Sequence, residues 1–358
     1  MRYDTSLNMA GREIALDQPA YFIADIAANH DGELERAKDL IYSAKEAGAD
    51  CAKFQHFLAK DIVSDYGFRN MSSEQSHQSE WKKSVYEVYE QYHCPRDWTE
   101  MLVDTCREAG IDFMTTPYDF EAIDAFADII PGYKIGSGDV TWQTGIERIA
   151  SKGKPVILAT GATAMNEVEL AVAAILQHNR QICLMQCNTN YTADLDNYRF
   201  VNLNVLRSYA LHWPGMVLGL SDHTFGCSTV LGAVALGARV IEKHYTDDND
   251  REGPDHHFAM NPSTWAEMVD RTRELELALG DGVKRVESNE SETVVVQRRA
   301  LRAKEEIPAG TVLTDDHLEA LRPCPNDGMP PYRQSDVTGR TARCAILAGD
   351  HIRWADLI

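Results

Sequence analysis

Residues 217–246, VLGLSDHTFGCSTVLGAVALGARVIEKHYT, hold two apolar runs that each end in a polar cluster with a histidine. Val217-Leu218-Gly219-Leu220 leads into Ser221-Asp222-His223, and Val240-Ile241 leads into Glu242-Lys243-His244. Between them a small-residue stretch, roughly Cys227 to Leu236, is closed by Gly237. The order predicts a strand–helix–strand unit with chemistry at both strand ends. In a parallel barrel those ends are neighbours on one face, so two histidines at matching positions are placed to share a metal.

The same pattern extends outward through the chain. Short apolar runs lead into polar ends at Asp25, at Lys53-Phe54-Gln55, at Thr115-Thr116-Pro117, at Lys134 with Ser137, at Ala159-Thr160-Gly161 and at Gln186-Cys187-Asn188. With the opening pair that makes eight strands, most followed by an amphipathic helix. The count and order predict a (β/α)8 TIM barrel, an α/β fold with its polar residues at the carboxyl ends of the strands. A doubly wound open sheet is the alternative, but no GxGxxG follows the first strand. The barrel is expected over 1–280, with a polar insertion at about 58–80. A linker is expected over 281–294 and a small β-rich domain over 295–358. In that domain Ile307-Pro308-Ala309-Gly310 recurs as Ile346-Leu347-Ala348-Gly349, which points to pseudo-symmetry.

Bulk properties narrow the class. The 358 residues are 44% hydrophobic and 25% charged, which is ordinary for a globular protein. No apolar run approaches a membrane span or a signal peptide, so a cytoplasmic location is expected. Eight cysteines without a CxxC pair fit a reducing compartment, and Cys51, Cys183 and Cys187 read as inert packing residues. Residues 295–358 carry nine Lys/Arg and nine Asp/Glu, so the whole net charge of −20 falls on residues 1–294. That surface repels nucleic acid and anionic membrane, and an anionic substrate needs its own cluster of cations.

Such a cluster is present. Lys53 and Gln55 share one side of their strand by the period of two, and Lys134 ends another strand. With Thr116, Ser137 and Ser221 they supply donors suited to phosphate or carboxylate. Glu242 and His244 likewise share a face, as do Ser221 and His223. Two imidazoles completed by carboxylate or water suit Mn²⁺, Mg²⁺, Zn²⁺ or Fe²⁺. Asp25 is either a base or the cap of the following turn. Asp255, in the charged tract Asp247–His256 after the last strand, is a candidate for substrate hydroxyls.

The stretches IADIAANHDG, AGADCAKFQ, TTPY, YKIGSGD, LATG, GLSDHTFG, ALGARVIEKHYT and GPDHHFAMNP resemble the sialic acid synthase family, the phosphoenolpyruvate-condensing N-acylneuraminate synthases. The tail ALRAKEEIPAGTVLTDDHLEALRP resembles that family's antifreeze-like SAF domain. The resemblance implies condensation of phosphoenolpyruvate with an N-acylated mannosamine-type amino sugar. It implies Mn²⁺ or Mg²⁺ on His223 and His244, held against the sugar's aldehyde oxygen. It gives phosphoenolpyruvate contacts to Lys53, Gln55, Thr116, Lys134, Ser137 and Ser221, and acidic positions near metal and sugar to Glu242 and Asp255. It also implies a domain-swapped homodimer in which Arg322 reaches the sugar's N-acyl group in the neighbouring subunit. The chain departs from the pattern in three places. Asp25 stands where the family usually has Glu, Ala159 where it often has a phosphate-contacting Ser, and Asn188–Thr192 where a tract ends in Tyr-Pro. Two other classes remain. One is a condensing enzyme like the DAHP and KDO 8-phosphate synthases, against which the SAF tail argues. The other is a non-catalytic carbohydrate-binding or polysaccharide-assembly protein on the same scaffold.

Overall fold

In a computed structural model that describes residues 3–71, 78, 81–192 and 194–358, the chain forms two compact units, 1–280 and 281–358. The first opens with an antiparallel hairpin, β1 (Ser6–Met9) and β2 (Arg12–Ala15). Eight parallel strands follow: β3 (Tyr21–Asp25), β4 (Cys51–His56), β5 (Asp112–Pro117), β6 (Tyr133–Ile135), β7 (Val156–Ala159), β8 (Ile182–Cys187), β9 (Val217–Asp222) and β10 (Ala238–His244). They close in sequence order into a barrel, with β10 paired to β3. All eight strands expected from the sequence are present, and the fold is the (β/α)8 barrel.

The period of two separates two cores. Tyr21, Ile23, Cys51, Met114, Ile157, Cys183, Val217 and Val240 point into the barrel, where Leu7, Met9 and Ile14 of the hairpin pack on them. Because these residues lie at or near the strand starts, the hairpin closes the amino-terminal floor and leaves the other mouth open. The alternate residues, among them Phe22, Phe54, Tyr133, Leu158, Leu220 and Ile241, pack outward against the helices. The helix Leu34–Glu46 shows why such segments dock, since Ala37, Leu40, Ile41 and Ala44 form one apolar stripe at helical spacing. Gly219 is required inside the barrel. A Cβ there would lie 2.6 Å from the Val240 carbonyl oxygen and 2.9 Å from Met185 Cγ.

Three details differ from the sequence reading. The hairpin before Tyr21 was not foreseen, because its strands are only four residues each and carry weak alternation. The polar insertion at 58–80, to which the sequence assigns no elements, holds helical turns at Ala59–Ile62 and Asp65–Asn70. Its residues 72–77, 79 and 80 lie outside the described ones. The stretch 281–294, expected as linker, is almost wholly exposed but ends inside a short helix, Ser291–Val296.

The second unit is the small β domain, built from short pairings. Its strands are β11 (Ala300–Ala303) and β12 (Leu318–Leu321), joined antiparallel, with isolated bridges elsewhere. The two copies of the repeat meet directly. Ile307 and Ile346 exchange both backbone hydrogen bonds at 2.9 Å, and both isoleucines are buried beside Leu301, Leu313, Val337 and Ile352. Short bridges rather than long strands suit a core this small.

Candidate active site

The polar residues at the strand ends continue the inward-facing series of their strands into the open mouth. Asp25 and Lys53 are register partners on β3 and β4, with Asp25 Oδ2 2.7 Å from Lys53 Nζ. Gln55 Nε2 donates to the same oxygen at 2.9 Å, and Lys53 Nζ donates to Thr116 Oγ1 at 3.3 Å. Asp25 Oδ1 accepts from the Ala27 amide at 3.1 Å, so the carboxylate caps its own turn as well as facing the site. Burial alone would raise the Asp25 pKa, but the Lys53 ammonium, with His244 and Gln55, holds it below the usual carboxylate value. The converse holds for Lys53, 1% exposed, whose ammonium Asp25 and Glu242 stabilise against burial.

A second cluster stands beside the first. Lys134 Nζ lies 3.1 Å from Glu242 Oε1, and Ser221 Oγ donates to that oxygen at 3.3 Å. Glu242 Oε2 is buried without a hydrogen-bond partner. Both lysines expected to form an anion pocket are therefore already paired with carboxylates. An ammonium has three N–H donors, so one carboxylate does not exhaust it.

The two histidines face each other, with ring centroids 5.5 Å apart. His223 Nδ1 is 3.0 Å from the Asn188 carbonyl oxygen, which fixes Nδ1 as a donor, and the ring also hydrogen-bonds Cys187. Burial pushes His244 down to about 3 against the pull of Asp25, so its ring is neutral. Its Nδ1 is buried without a hydrogen-bond partner, and its Nε2 lies 3.8 Å from Asp25 Oδ2. The neutral His244 ring, with its orphaned nitrogen, fits a divalent ion, whereas Cys187 outweighs burial and raises the His223 pKa, so that ring must shed a proton to ligate. Among the described residues no third His, Cys, Asp or Glu joins them as a ready cluster, so further ligands would come from water or substrate.

Above these groups opens a cavity of about 400 Å³. Gln55, Ser137, His244 and Asp255 line it. Ser137 Oγ accepts from the Gly161 amide at 2.9 Å. Gly161 has to be glycine, because a Cβ there would collide with Thr189 Oγ1. Asp255 Oδ2 accepts from the Ala28 amide at 3.3 Å and lies 3.8 Å from His244 Nδ1. The structure thus gathers Asp25, Lys53, Gln55, Thr116, Lys134, Ser137, Ser221, His223, Glu242, His244 and Asp255 at one mouth. Arg322 lies apart from them in sequence and unit, next to the exposed end of β12.

At the departures noted in the sequence, Ala159 is buried inside the barrel. Thr160 does not replace the missing hydroxyl, since its Oγ1 donates to the Met185 carbonyl at 2.7 Å and meets Tyr209 Oη at 2.9 Å. Tyr191, from the divergent tract, packs edge-on against His223 at 4.3 Å and lies 5.4 Å from Phe258.

Three features escaped the sequence reading. Asp139, on the turn Ser137–Asp139, lines the cavity, and burial raises its carboxyl to about 6 although Lys134 opposes the shift. Its signal was present in YKIGSGD, two residues past Ser137. Cys51 and Cys183 are inert packing residues with raised thiol pKa values, but Cys187 is not. Burial raises it too, yet His223 overrides burial and lowers it, a contact between strands that no local pattern encodes. Finally, Asp222 and Lys243, between the named positions on β9 and β10, form a buried pair at 2.5 Å.

Known proteins resemble the chain over most of its length. A model of the NeuB family matches residues 40–284, and a model of the SAF domain matches 298–358. The chain is 32% identical to the N,N'-diacetyllegionaminic acid synthase of Legionella pneumophila, covering 93% of each chain. It is 31% identical to the human N-acetylneuraminate-9-phosphate synthase, over 96% of this chain and 94% of that one. A crystal structure of an N-acetylneuraminic acid synthetase from Leptospira borgpetersenii superposes with a TM-score of 0.71 at 25% identity, covering 82% of this chain and 96% of that chain.

Proposed function

The chain belongs to the NeuB family, and on that premise we propose that it condenses phosphoenolpyruvate with the open-chain aldehyde of an N-acylated mannosamine-type sugar, releasing phosphate. It is an enzyme, a carbon–carbon bond-forming synthase that takes phosphoenolpyruvate, and its product is of the sialic or nonulosonic acid class. The observation that carries the reading is the meeting of His223 and the neutral His244 ring with the ionised Asp25–Lys53 pair at one open barrel mouth.

His223 and His244 hold Mn²⁺ or Mg²⁺ in this reading, and the ion supplies Lewis acidity toward the acceptor's aldehyde oxygen. Lys53 and Lys134 bind the carboxylate and phosphate of phosphoenolpyruvate through the N–H donors that Asp25 and Glu242 leave over. Thr116, Ser137 and Ser221 add hydroxyls on the same side. Held in this way, C3 of phosphoenolpyruvate attacks the aldehyde carbon, and cationic character develops at C2. The ionised Asp25 Oδ2 takes the proton of the water that adds at C2. Gln55 donates to that oxygen and orients it. The tetrahedral adduct then loses phosphate by C–O cleavage. Asp139 and Asp255 accept from acceptor hydroxyls. Arg322 approaches the N-acyl group from the partner of a domain-swapped homodimer.

The test is phosphate release by the purified full chain with phosphoenolpyruvate, Mn²⁺ and a panel of sugars. Release with N-acylated hexosamines is expected. Release only with erythrose or arabinose phosphates would move the chain to the DAHP or KDO 8-phosphate class, and no release with any acceptor would refute the synthase reading.

A further inference from the structure

One side of the cavity is mostly aromatic and aliphatic, with the amide of Gln78 among it. Phe57, Ile62, Trp81, Val88, Tyr89 and Tyr92 line it, and all come from the segment between β4 and the helix Thr99–Ala109. Phe57 is buried and packs on Tyr89 at 5.1 Å and edge-on against Tyr118 at 6.0 Å, so this wall is a packed surface. His244 and Gln55, both beside the Asp25 carboxylate, mark the reacting end. The wall therefore meets the part of the acceptor remote from its aldehyde.

The charges of the lining are of one sign. Asp139 and Asp255 belong to it, and among the described residues no Lys or Arg does. Residues 72–77, 79 and 80, outside the described ones, include neither Lys nor Arg by sequence, and their one basic residue is His77, with Glu74 and Glu80 in the same stretch. The nearby lysines lie outside this lining. Lys82, 91% exposed, reaches toward Glu252 at 3.9 Å, and Lys83 Nζ donates to Gln91 Oε1 at 2.7 Å. The helix that supplies Val88, Tyr89 and Tyr92 offers no anion site either. Its first-turn amides are capped by Ser84, and the Glu87 carboxylate already occupies that terminus. A phosphate dianion placed here would lose its hydration beside carboxylates with no compensating cation. A methyl or acyl group would gain by burial against the aromatic wall.

Resting on the synthase reading above, we propose that the acceptor is an uncharged amino sugar that presents a methyl or acyl substituent to this wall, in place of a phosphate. The test uses the full chain with phosphoenolpyruvate and Mn²⁺, and compares kcat/KM for three acceptors. They are a 6-deoxy-2,4-diacylamino hexose, N-acetylmannosamine and N-acetylmannosamine 6-phosphate. The expected order is the deoxy diacylamino sugar first and the 6-phosphate last, with about 100-fold or more between them. Ile62→Lys adds a cation to the wall and should move the ratio toward the 6-phosphate by about 10-fold. A ratio measured within one preparation is insensitive to partial misfolding. Preference for the 6-phosphate, equal use of all three, or an unmoved ratio in Ile62→Lys each overturns this inference and leaves the synthase reading standing. Absence of turnover with every acceptor overturns both.

Discussion

Asp25 and Lys53 sit opposite each other on neighbouring parallel strands, with carboxylate and ammonium 2.7 Å apart and both side chains all but removed from solvent. Each keeps the other ionised against burial, and Gln55 and the Ala27 amide hold the carboxylate in place. The shorter arm of Asp25, relative to the glutamate of the resembling family, therefore does not leave it detached from the site.

If Asp25 serves as the base, Asp25→Asn should keep the fold and lower kcat by about 10²–10⁴-fold. Asp25→Glu should retain much more activity, because the carboxylate survives. Steady-state phosphate release on both variants checks this. Equal loss in the two would show that the geometry of the pair, and not a proton acceptor, is what matters.

His223→Ala and His244→Ala should each abolish metal-dependent turnover while the circular dichroism spectrum and melting temperature stay near those of the parent chain. Both rings are side chains at the open mouth, so no barrel layer is removed with them. Titration calorimetry with Mn²⁺ should show binding by the parent and its loss in either variant. Parent-like Mn²⁺ binding in both would contradict the two-histidine site.

The barrel and most of this mouth were legible in the sequence because both follow one rule. Period two sends Val240, Glu242 and His244 inward along with Tyr21, Ile23 and Asp25, and the apolar-then-polar order says where each strand ends. What was not legible depends on meetings across strands. Lys53 and Lys134 each find a carboxylate on another strand, and Cys187 meets His223 across the mouth. The hairpin β1–β2 was missed because two four-residue strands carry too little alternation to register. The repeat in the second unit signals its small β domain without giving strand lengths, because it is made of turns and single bridges.

Asp139 provides a pH signature. Its carboxyl is raised by burial to about 6, so it is neutral below that pH and ionised above. An ionised Asp139 accepts hydrogen bonds from acceptor hydroxyls better, so the acceptor KM should fall as pH rises through about 6. Asp139→Asn should flatten that limb. For stability the sign is reversed. A raised carboxyl pKa contributes stability that is fully present below the unfolded value and lost as pH rises through about 6, so between pH 4 and 7 the melting temperature of the unliganded parent should fall more than that of Asp139→Asn.

Asp222 and Lys243 make the last prediction, because they hold the scaffold of the histidines without facing the cavity. They are register partners on β9 and β10 that point outward, and Lys243 Nζ also donates to the Thr224 carbonyl at 2.5 Å. Asp222 in turn accepts from Thr224 Oγ1 and from Thr229 Oγ1 at 2.7 Å, so the loop carrying His223 is tied at both ends. Lys243→Met would strand a buried carboxylate and should cost about 3–5 kcal/mol. For a domain of this size that is a fall in melting temperature on the order of 10 °C. Asp222→Asn combined with Lys243→Met removes both charges and should recover part of the loss. Depression of the Asp222 pKa by Lys243 outweighs burial, so the pair's contribution is present above the ordinary carboxylate pKa and lost as pH falls through the lowered value. Thermal melts of the parent, the single and the double variant between pH 3 and 7 check both claims. A single variant as stable as the parent at neutral pH would show that the pair contributes nothing net to holding β9 and β10 together.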